Sequence, residues 1–399
     1  MNCSKMFPFP TCLLPKENVN TSTSHLEDLV IEGCPSLSCL PSIDQLSATL
    51  TSLRIEDCSK LTTLSLTGHL PVALKHLRIE GCSELTTILP KGQLPETLET
   101  LTIWYCPKLK SIVEKFHNNK ALEQINIMSC DNLESLPEGL HTLSSLSFLG
   151  IWFCPGFTSF PEGGFPNNNL RVLIEGCEKL KALPSGIHTL TSFQELSIID
   201  CENMSLSEEG LPTKLAQLVI HGLKRYKPLM EWGLHNLTSL TYLYISGRPD
   251  GDCFQEEDMR VTLPRTLTEL CIGGFPKLKS LPNLPSSLES LNIDDCPELT
   301  SLPNLPSSLE SLNIGYCPEL TSLPNLPSSL ESLNIDDCPE LRSLPSLPSS
   351  LLKLYIWHCP LLKEGCKRDR GKEWSKIADI PCVKIDSKFI YEPEEASNH

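Results

Sequence analysis

The sequence has few basic residues, few aromatic residues and no long hydrophobic run. Lys and Arg number 33 against 49 Asp and Glu, which leaves a formal net charge of −16 and a pI near 5.1. Proteins that bind nucleic acid usually present clustered Lys and Arg, so this balance disfavours a phosphate-binding surface. No stretch approaches the roughly 18 apolar residues that a membrane-spanning helix needs. We therefore expect neither nucleic acid nor a membrane as a partner.

The sequence also lacks the short motifs of common catalytic, cofactor and metal sites. It contains no G-x-x-x-x-G-K-[ST], G-x-G-x-x-G, H-E-x-x-H or G-x-S-x-G motif. No Cys-x-x-Cys pair occurs among the 19 cysteines, and no Cys/His grouping recurs, so a zinc site is disfavoured. We predict a protein that is not an enzyme and that takes no cofactor and no metal.

The N-terminal segment is a poor secretory signal. Residues 1–20 are interrupted by Pro8, Pro10 and Pro15, which break the apolar stretch that such a signal requires. We therefore expect a cytoplasmic or nucleo-cytoplasmic protein.

A repeating phrase fills most of the chain. It has the form L-x-x-L-x-I-x-x-C-x-x-L, usually closed by Leu-Pro, and it is clearest from Leu288 to Leu299. Fifteen copies begin between Leu26 and Leu351, at spacings of 21 to 27 residues. A period of 20 to 29 residues with this lettering is typical of leucine-rich repeats. We predict an α/β repeat solenoid, a leucine-rich-repeat horseshoe with a parallel β-sheet on its concave face and a mostly irregular or 3-10 convex side.

The repeats define the expected domain boundaries. Residues 1–25 form an N-terminal lead-in or cap, residues 26–358 hold about fifteen repeats, and residues 359–399 form a C-terminal cap and tail. The array is irregular at 215–266, where we expect a protruding loop at 247–262; a merely tolerated insertion is the alternative. The candidate binding residues of this loop are Arg248, Asp250, Asp252 and Phe254.

Each phrase predicts one strand with alternating inward and outward side chains. In the copy that begins at Leu98, Leu101 and Ile103 should point inward and Trp104 outward. The copy at Leu170 is one residue short. A one-residue slip reverses which side chains face inward, so we expect this coil to be locally distorted.

Twelve cysteines occupy one fixed position of the phrase. They are predicted to be structural, each a small buried group whose S–H faces backbone carbonyls of the next coil. Disulfides are the alternative, disfavoured because the side chains of a ladder point in one direction and an intracellular compartment keeps thiols reduced. These residues are Cys34, Cys58, Cys82, Cys106, Cys130, Cys154, Cys177, Cys201, Cys296, Cys317, Cys338 and Cys359.

The outward strand positions should form one continuous surface, and solenoids use such surfaces to bind partners. Exposed Trp and Tyr are enriched at binding hot spots, so the aromatic residues predicted on this face are the candidate partner-binding residues. They are Trp104, Tyr105, Phe148, Trp152, Phe153, Tyr316, Tyr355 and Trp357.

The residues after the last repeat carry a resemblance. The stretch Cys359-Pro360-Leu361-Leu362, followed by Gly371-Lys372-Glu373-Trp374-Ser375-Lys376-Ile377-Ala378-Asp379-Ile380-Pro381, together with the repeats, resembles the C-terminal end of plant intracellular disease-resistance receptors of the coiled-coil, nucleotide-binding, leucine-rich-repeat class. The resemblance implies a repeat domain that senses pathogen effectors, restrains a nucleotide-binding switch and acts in plant defence and the hypersensitive response. It also implies a protein partner, either a pathogen effector or a host nucleotide-binding or signalling domain. Because no nucleotide-binding motif is present, we expect the repeat domain without that switch.

A second interpretation comes from the L-P-x-x-L spacing of 21 residues near the C-terminus. This spacing is similar to the repeats of bacterial secreted ubiquitin ligases, which implies a substrate-recognition module of a ubiquitin ligase. The chain lacks the large helical catalytic domain that such a ligase carries after its repeats, and it lacks the helical box by which a plant adaptor docks.

Overall fold

The computed structural model describes residues 26–40, 49–65, 68–205, 210–222, 233–247, 262–368 and 370–389. The chain divides into two compact units, Met1–Pro212 (unit 1) and Thr213–His399 (unit 2). The predicted lead-in, residues 1–25, lies outside the described residues. Within them, no helix is long and apolar enough to cross a membrane. Each unit is a parallel-strand solenoid with little helix.

Unit 1 contributes one five-residue strand from each repeat. Every neighbouring pair is parallel and in the same register, so equivalent residues of successive repeats lie side by side. Among the described residues of this unit, the short 3-10 helices Leu140–Thr142 and Ile187–Thr189 lie between strands. The strands are β1 (Asp28–Glu32), β2 (Ser52–Glu56), β3 (His76–Glu80), β4 (Thr100–Trp104), β5 (Gln124–Met128), β6 (Phe148–Trp152), β7 (Arg171–Glu175) and β8 (Glu195–Ile199).

Unit 2 has the same plan and ends in a different way. Its last strand is antiparallel to its neighbour, whereas the others pair in parallel. Its short helices are the 3-10 helix Leu234–Asn236 and the α-helices α1 (Pro360–Gly365) and α2 (Trp374–Ile377). The strands are β9 (Gln217–His221), β10 (Tyr242–Ser246), β11 (Glu269–Gly273), β12 (Ser290–Asp294), β13 (Ser311–Gly315), β14 (Ser332–Asp336), β15 (Lys353–Trp357), β16 (Cys382–Ile385) and β17 (Lys388–Phe389).

The core of each coil comes from the apolar letters of the phrase. We number the residues of each strand from 1 to 5; positions 2 and 4 point inward, and positions 1, 3 and 5 form the strand face. In β4 the inward residues Leu101 and Ile103 have no exposed surface, and neither have Leu98 before the strand and Leu109 after it. Complete burial of a Leu or Ile side chain contributes about 1.5–3 kcal/mol. The predicted alternation is therefore what holds each coil together.

In most repeats, the residue directly after the strand adopts a left-handed backbone conformation. Glycine occupies this place at Gly81, with φ +66°, but Tyr105 has φ +53°. The N–H of the residue in this turn position donates to the carbonyl at position 5 of the next strand. The Tyr105 N–H, for example, donates to the Met128 carbonyl at 2.9 Å. This bond turns the chain away from the sheet in every coil where it is made.

The distortion predicted for the coil at Leu170 does not reach its strand. Strand β7 pairs in the usual register with β6, and its position-2 residue Val172 is 1% exposed. The missing residue is absorbed before the strand, where the Asn168 side-chain amide donates to carbonyls of the preceding coil at Leu146 (2.7 Å) and Ser144 (3.1 Å). These side-chain bonds tie the shortened segment to the preceding coil, and Asn119 makes equivalent bonds to Leu94 and Pro95 in a coil of ordinary length.

The irregular region at 215–266 does not interrupt the sheet within the described residues. Strands β9, β10 and β11 pair side by side without a register shift. Phe275 stands where the phrase has its cysteine, and it is 2% exposed. The expected loop, with Arg248, Asp250, Asp252 and Phe254, lies outside the described residues.

The segment after residue 358 covers the last coil and also extends the sheet. Ile377 and Ile380 are buried. Glu373 is 6% exposed, and its carboxylate accepts from the Leu344 N–H at 3.1 Å and from Lys376 Nζ at 2.7 Å. Strands β16 and β17 were not predicted, because the sequence of residues 382–389 does not follow the phrase.

Candidate functional site

Four large side chains stand together on the strand face of unit 1. Trp104, Met128 and Trp152 occupy position 5 of the adjacent strands β4, β5 and β6, and they are paired in register. Phe148 occupies position 1 of β6, with its ring centroid 6.0 Å from that of Trp152. All four are half-buried. We call these four residues the aromatic patch.

Trp152 lies flat because Gly150 precedes it at position 3. A β-carbon at Gly150 would come within 2.0 Å of Cη2 and 2.5 Å of Cζ2 of the Trp152 indole. Such distances are far inside van der Waals contact, so any other residue at 150 would push the indole off the sheet. Gly150 therefore determines the orientation of the largest side chain in the patch.

An arginine covers Trp104 on the side of β3. The Arg78 guanidinium lies over the indole ring, 4.2 Å from its centroid, and donates to Glu80 at 2.6 Å. A second carboxylate, that of Glu56, lies 3.8 Å from Arg78 Nε. Such a stacked cation contributes about 0.5–1 kcal/mol where solvent reaches it. The Trp104 Nε1 atom is buried, and no described residue accepts its hydrogen bond.

The side of the patch next to β7 carries a similar, looser arrangement. The Arg171 guanidinium lies 5.7 Å from the Phe148 ring centroid and 4.0 Å from the Glu195 carboxylate. In the position-5 row, Glu80 precedes Trp104 and Glu175 follows Trp152. The apolar patch is therefore bordered by charged residues on both sides.

Three of the predicted aromatic residues lie just beyond the strands and not on them. Tyr105, Phe153 and Tyr316 occupy the left-handed turn position, with φ between +48° and +53°, and each is 51% exposed. The Phe153 ring lies over Gly176, where a β-carbon would be 2.8 Å from Cδ1. A bulky residue in this conformation costs roughly 1 kcal/mol relative to Gly. Tyr105 and Phe153 directly follow Trp104 and Trp152 in the chain, so they extend the aromatic surface at the ends of β4 and β6.

The two remaining predicted aromatic residues, Tyr355 and Trp357 of β15, lie beside the C-terminal strands. The Tyr355 hydroxyl is 3.8 Å from the Cys382 sulfur, and Lys384 Nζ lies 4.7 Å from the Trp357 ring centroid. These two rings therefore pack against the chain's own C-terminal segment.

The cysteines of the phrase form a buried ladder in each unit. All twelve are buried and free of disulfides. The closest acceptor of the Cys130 thiol is the Met128 carbonyl of its own coil at 3.5 Å, and the Ile103 carbonyl of the preceding coil is 3.9 Å away. The prediction placed the acceptor in the next coil. In the structure the closest acceptor is instead the carbonyl of the residue two positions before the cysteine.

Burial changes the protonation of these thiols. It raises the pKa of Cys296 to about 12. A hydrogen bond with Cys154, together with burial, raises the pKa of Cys130 well above its ordinary value. The same hydrogen bond lowers the pKa of its partner, Cys154. A protonated thiol is neither a nucleophile nor a metal ligand, so a buried thiol such as that of Cys296 is suited to packing. Among the described residues, no group of three or more His, Cys, Asp or Glu side chains is placed to hold a metal ion.

Solved structures share this architecture. The chain matches no protein-family model and no curated protein. It is similar to YopM, a leucine-rich effector protein from Yersinia pestis, with 24% identity, a TM-score of 0.50 and coverage of 91% of this chain and 84% of that one. It is also similar to a leucine-rich-repeat protein of Leptospira interrogans, with 18% identity, a TM-score of 0.46 and coverage of 92% and 96%. The likeness to YopM shows the fold, a leucine-rich-repeat solenoid.

Proposed function

We propose that this protein is a non-enzymatic protein-recognition module, and that the aromatic patch of unit 1 binds its partner. The observation that carries the proposal is the row of Trp104, Met128 and Trp152 at outward strand positions, where each side chain is half-buried and outside the apolar core of its coil. Trp and Met are enriched at protein interfaces, and a few large aromatic residues provide most of the binding energy there. We expect the strand face of unit 1 to be concave.

The patch is organised before any partner binds. Gly150 leaves room for Trp152 to lie flat beside Phe148, and Arg78 covers Trp104 while it is held by its ion pair with Glu80. Ordering a side chain at an interface costs about 0.5–1.5 kcal/mol, so side chains that are already held bind at a smaller entropic cost. The exposed Tyr105 and Phe153, kept in a conformation that favours glycine, add to this surface.

The charges around the patch favour a particular partner. The chain carries a net charge of −16, and Glu175 stands next to Trp152 in the position-5 row without an ion pair to any described residue. Opposite charges across an interface accelerate binding and select the partner. We therefore expect a protein segment with apolar anchor side chains and Lys or Arg beside them.

The biological setting is part of the proposal. The resemblance of the repeats and of residues 359–381 to plant disease-resistance receptors supports a cytoplasmic role in plant innate immunity. In that role the module binds a pathogen effector or a host partner and regulates a nucleotide-binding switch domain. The segment with apolar and basic residues described above belongs to that partner.

Selection of peptides on the full-length protein tests the proposal. Display of random peptides should enrich sequences with two apolar anchors and adjacent Lys or Arg. A variant with Trp104, Phe148 and Trp152 replaced by Ala should bind them at least about tenfold more weakly. Gly150→Ala, which displaces the Trp152 ring without removing it, should weaken binding in the same direction.

The matched control is Val72→Ser, because Val72 is 76% exposed and lies outside the strands. This variant should bind the selected peptides as the wild type does, and all variants should keep the wild-type circular-dichroism spectrum. Unchanged binding by the folded triple variant would remove the patch from the proposal. The immune role predicts further that the triple variant loses its effect on cell death when it is co-expressed with a cognate nucleotide-binding domain in leaves; equal effects would contradict that role.

A further inference from the structure

A recess of about 370 Å³ lies on the strand face of unit 2. Tyr244, Cys271 and Asn292 stand at position 3 of β10, β11 and β12, and they line it side by side. His221 and Asp294 line it from position 5 of β9 and β12. No residue that lines the recess is Lys or Arg.

The recess exists because Gly273 occupies position 5 of β11. Its neighbours in that row, Ser246 and Asp294, have side chains, so Gly273 leaves a gap between them. Neighbouring backbone atoms leave no room for a side chain at Gly273 or at the adjacent Gly247. A β-carbon at Gly273 would lie 2.9 Å from the Asp294 carbonyl oxygen, and one at Gly247 would lie 2.4 Å from that of Gly274. A larger residue would therefore shift the coils as well as fill the opening.

The walls of the recess combine aromatic rings with two acidic residues, Asp294 and Asp295. The rings of His221 and Tyr244 lie 6.3 Å apart, centroid to centroid. Asp294 stands between Gly273 and Gly315 in its row, and its Oδ1 lies 2.5 Å from where a Gly315 β-carbon would be. No described Lys, Arg or His forms an ion pair with Asp294. Burial and the nearby negative charges of Asp295 and Asp336 raise its pKa above the ordinary value, so a cation would relieve this site.

We propose that this recess binds a guanidinium group, the side chain of an arginine presented by a protein partner. The planar guanidinium stacks on an aromatic ring and donates two parallel hydrogen bonds to a carboxylate. Tyr244 supplies the ring, Asp294 the carboxylate and Asn292 a further amide oxygen. The volume is at the lower end of the range for small-ligand sites, which suits one side chain. The site belongs to unit 2 and does not depend on the aromatic patch.

Ligand-observed saturation-transfer NMR on the full-length protein tests this site. The probes are Nα-acetyl-arginine amide, its uncharged isostere Nα-acetyl-citrulline amide, and Nα-acetyl-lysine amide with a free side-chain amine. We expect the arginine probe to bind with a Kd of about 1 mM, because a single side chain buries little surface. The citrulline and lysine probes should bind at least about tenfold more weakly, since they lose the charge or the planar fork.

Variants locate the binding. Asp294→Asn and Tyr244→Leu should each weaken the arginine probe by about tenfold or more. The control Asp337→Asn, which removes an acid that does not line the recess, should leave its Kd unchanged. Because Cys271 lines the recess, the arginine probe should also slow alkylation of Cys271 and not that of Cys382.

Three outcomes would overturn the proposal. They are equal binding of the citrulline probe, equal binding of the lysine probe, and wild-type binding by a folded Asp294→Asn variant. The Cys271 protection is read on the unmodified wild type, so it tests occupancy of the recess even if a variant fails to fold; absence of protection at saturating probe would also count against it.

Discussion

Iodoacetamide at pH 8 should label Cys382 in the native protein and leave Cys296 unlabelled over the same time. Cys382 is half-buried, whereas Cys296 has no exposed surface. Only the thiolate reacts, and burial raises the pKa of Cys296 to about 12. The expected difference therefore has two sources, access to the thiol and its protonation.

The magnitude of the protonation effect follows from the pKa. At pH 8, an ordinary thiol with a pKa near 8.5 is about one-quarter thiolate, while a thiol of pKa about 12 is about one part in ten thousand thiolate. The ratio is about three orders of magnitude before the absence of solvent contact is counted. Labelling of Cys296 should therefore require local or global unfolding.

Time-resolved peptide mass spectrometry measures the labelling of each cysteine separately. In guanidinium chloride the two thiols should react at similar rates, which serves as the control for intrinsic reactivity. Labelling of Cys296 in the native protein at the rate of Cys382 would refute the reasoning that the ladder is a packing device with unreactive thiols.

Two further predictions concern stability. Below pH 8.5 the Cys296 thiol keeps its proton in both the folded and the unfolded state. As the pH rises above 8.5, only the unfolded state loses this proton. The free energy of unfolding therefore falls progressively up to the folded-state pKa of about 12. At pH 10 the loss should be about 2 kcal/mol for this thiol, measured by urea unfolding, and a Cys296→Ala variant should lack that part of the pH dependence. Asn168→Ala removes the bonds to Leu146 and Ser144 and should lower the free energy of unfolding by about 1–3 kcal/mol in the same assay. The control Asn132→Ala loses one exposed bond to Pro107 and should lower it by less than about 1 kcal/mol. Equal losses for the two variants would contradict the account of β7.

Much of the fold was predictable because its information is local. The alternation of Leu101 and Ile103 with polar neighbours predicts a strand and its inward face, and the structure has β4 there. The cysteine position predicts burial, and the structure buries all twelve. The distortion expected at Leu170 does not reach the strand, because the missing residue is absorbed in the segment before it.

The candidate site was only partly predictable. Trp104, Phe148 and Trp152 lie on the strand face as expected, because strand position determines their side. Tyr105 and Phe153 lie in left-handed turns. Their position in the repeating phrase does not distinguish such a turn from the end of a strand. The partners of Tyr355 and Trp357 come from β16, whose sequence does not follow the phrase.

The sequence by itself determined the period, the parallel strands and the division of each strand into inward and outward side chains. These follow from a two-residue alternation repeated at a fixed interval, which any coil reads from its own residues. Only the tertiary structure decided how the outward side chains are arranged. The flat orientation of Trp152 depends on Gly150. The ring of Trp104 is covered by Arg78, which lies one coil earlier. The recess of unit 2 depends on Gly273, which lies between side chains of adjacent coils. The last two of these features arise between residues more than twenty positions apart, so they exist only once the coils are stacked, whereas Gly150 and Trp152 belong to one strand.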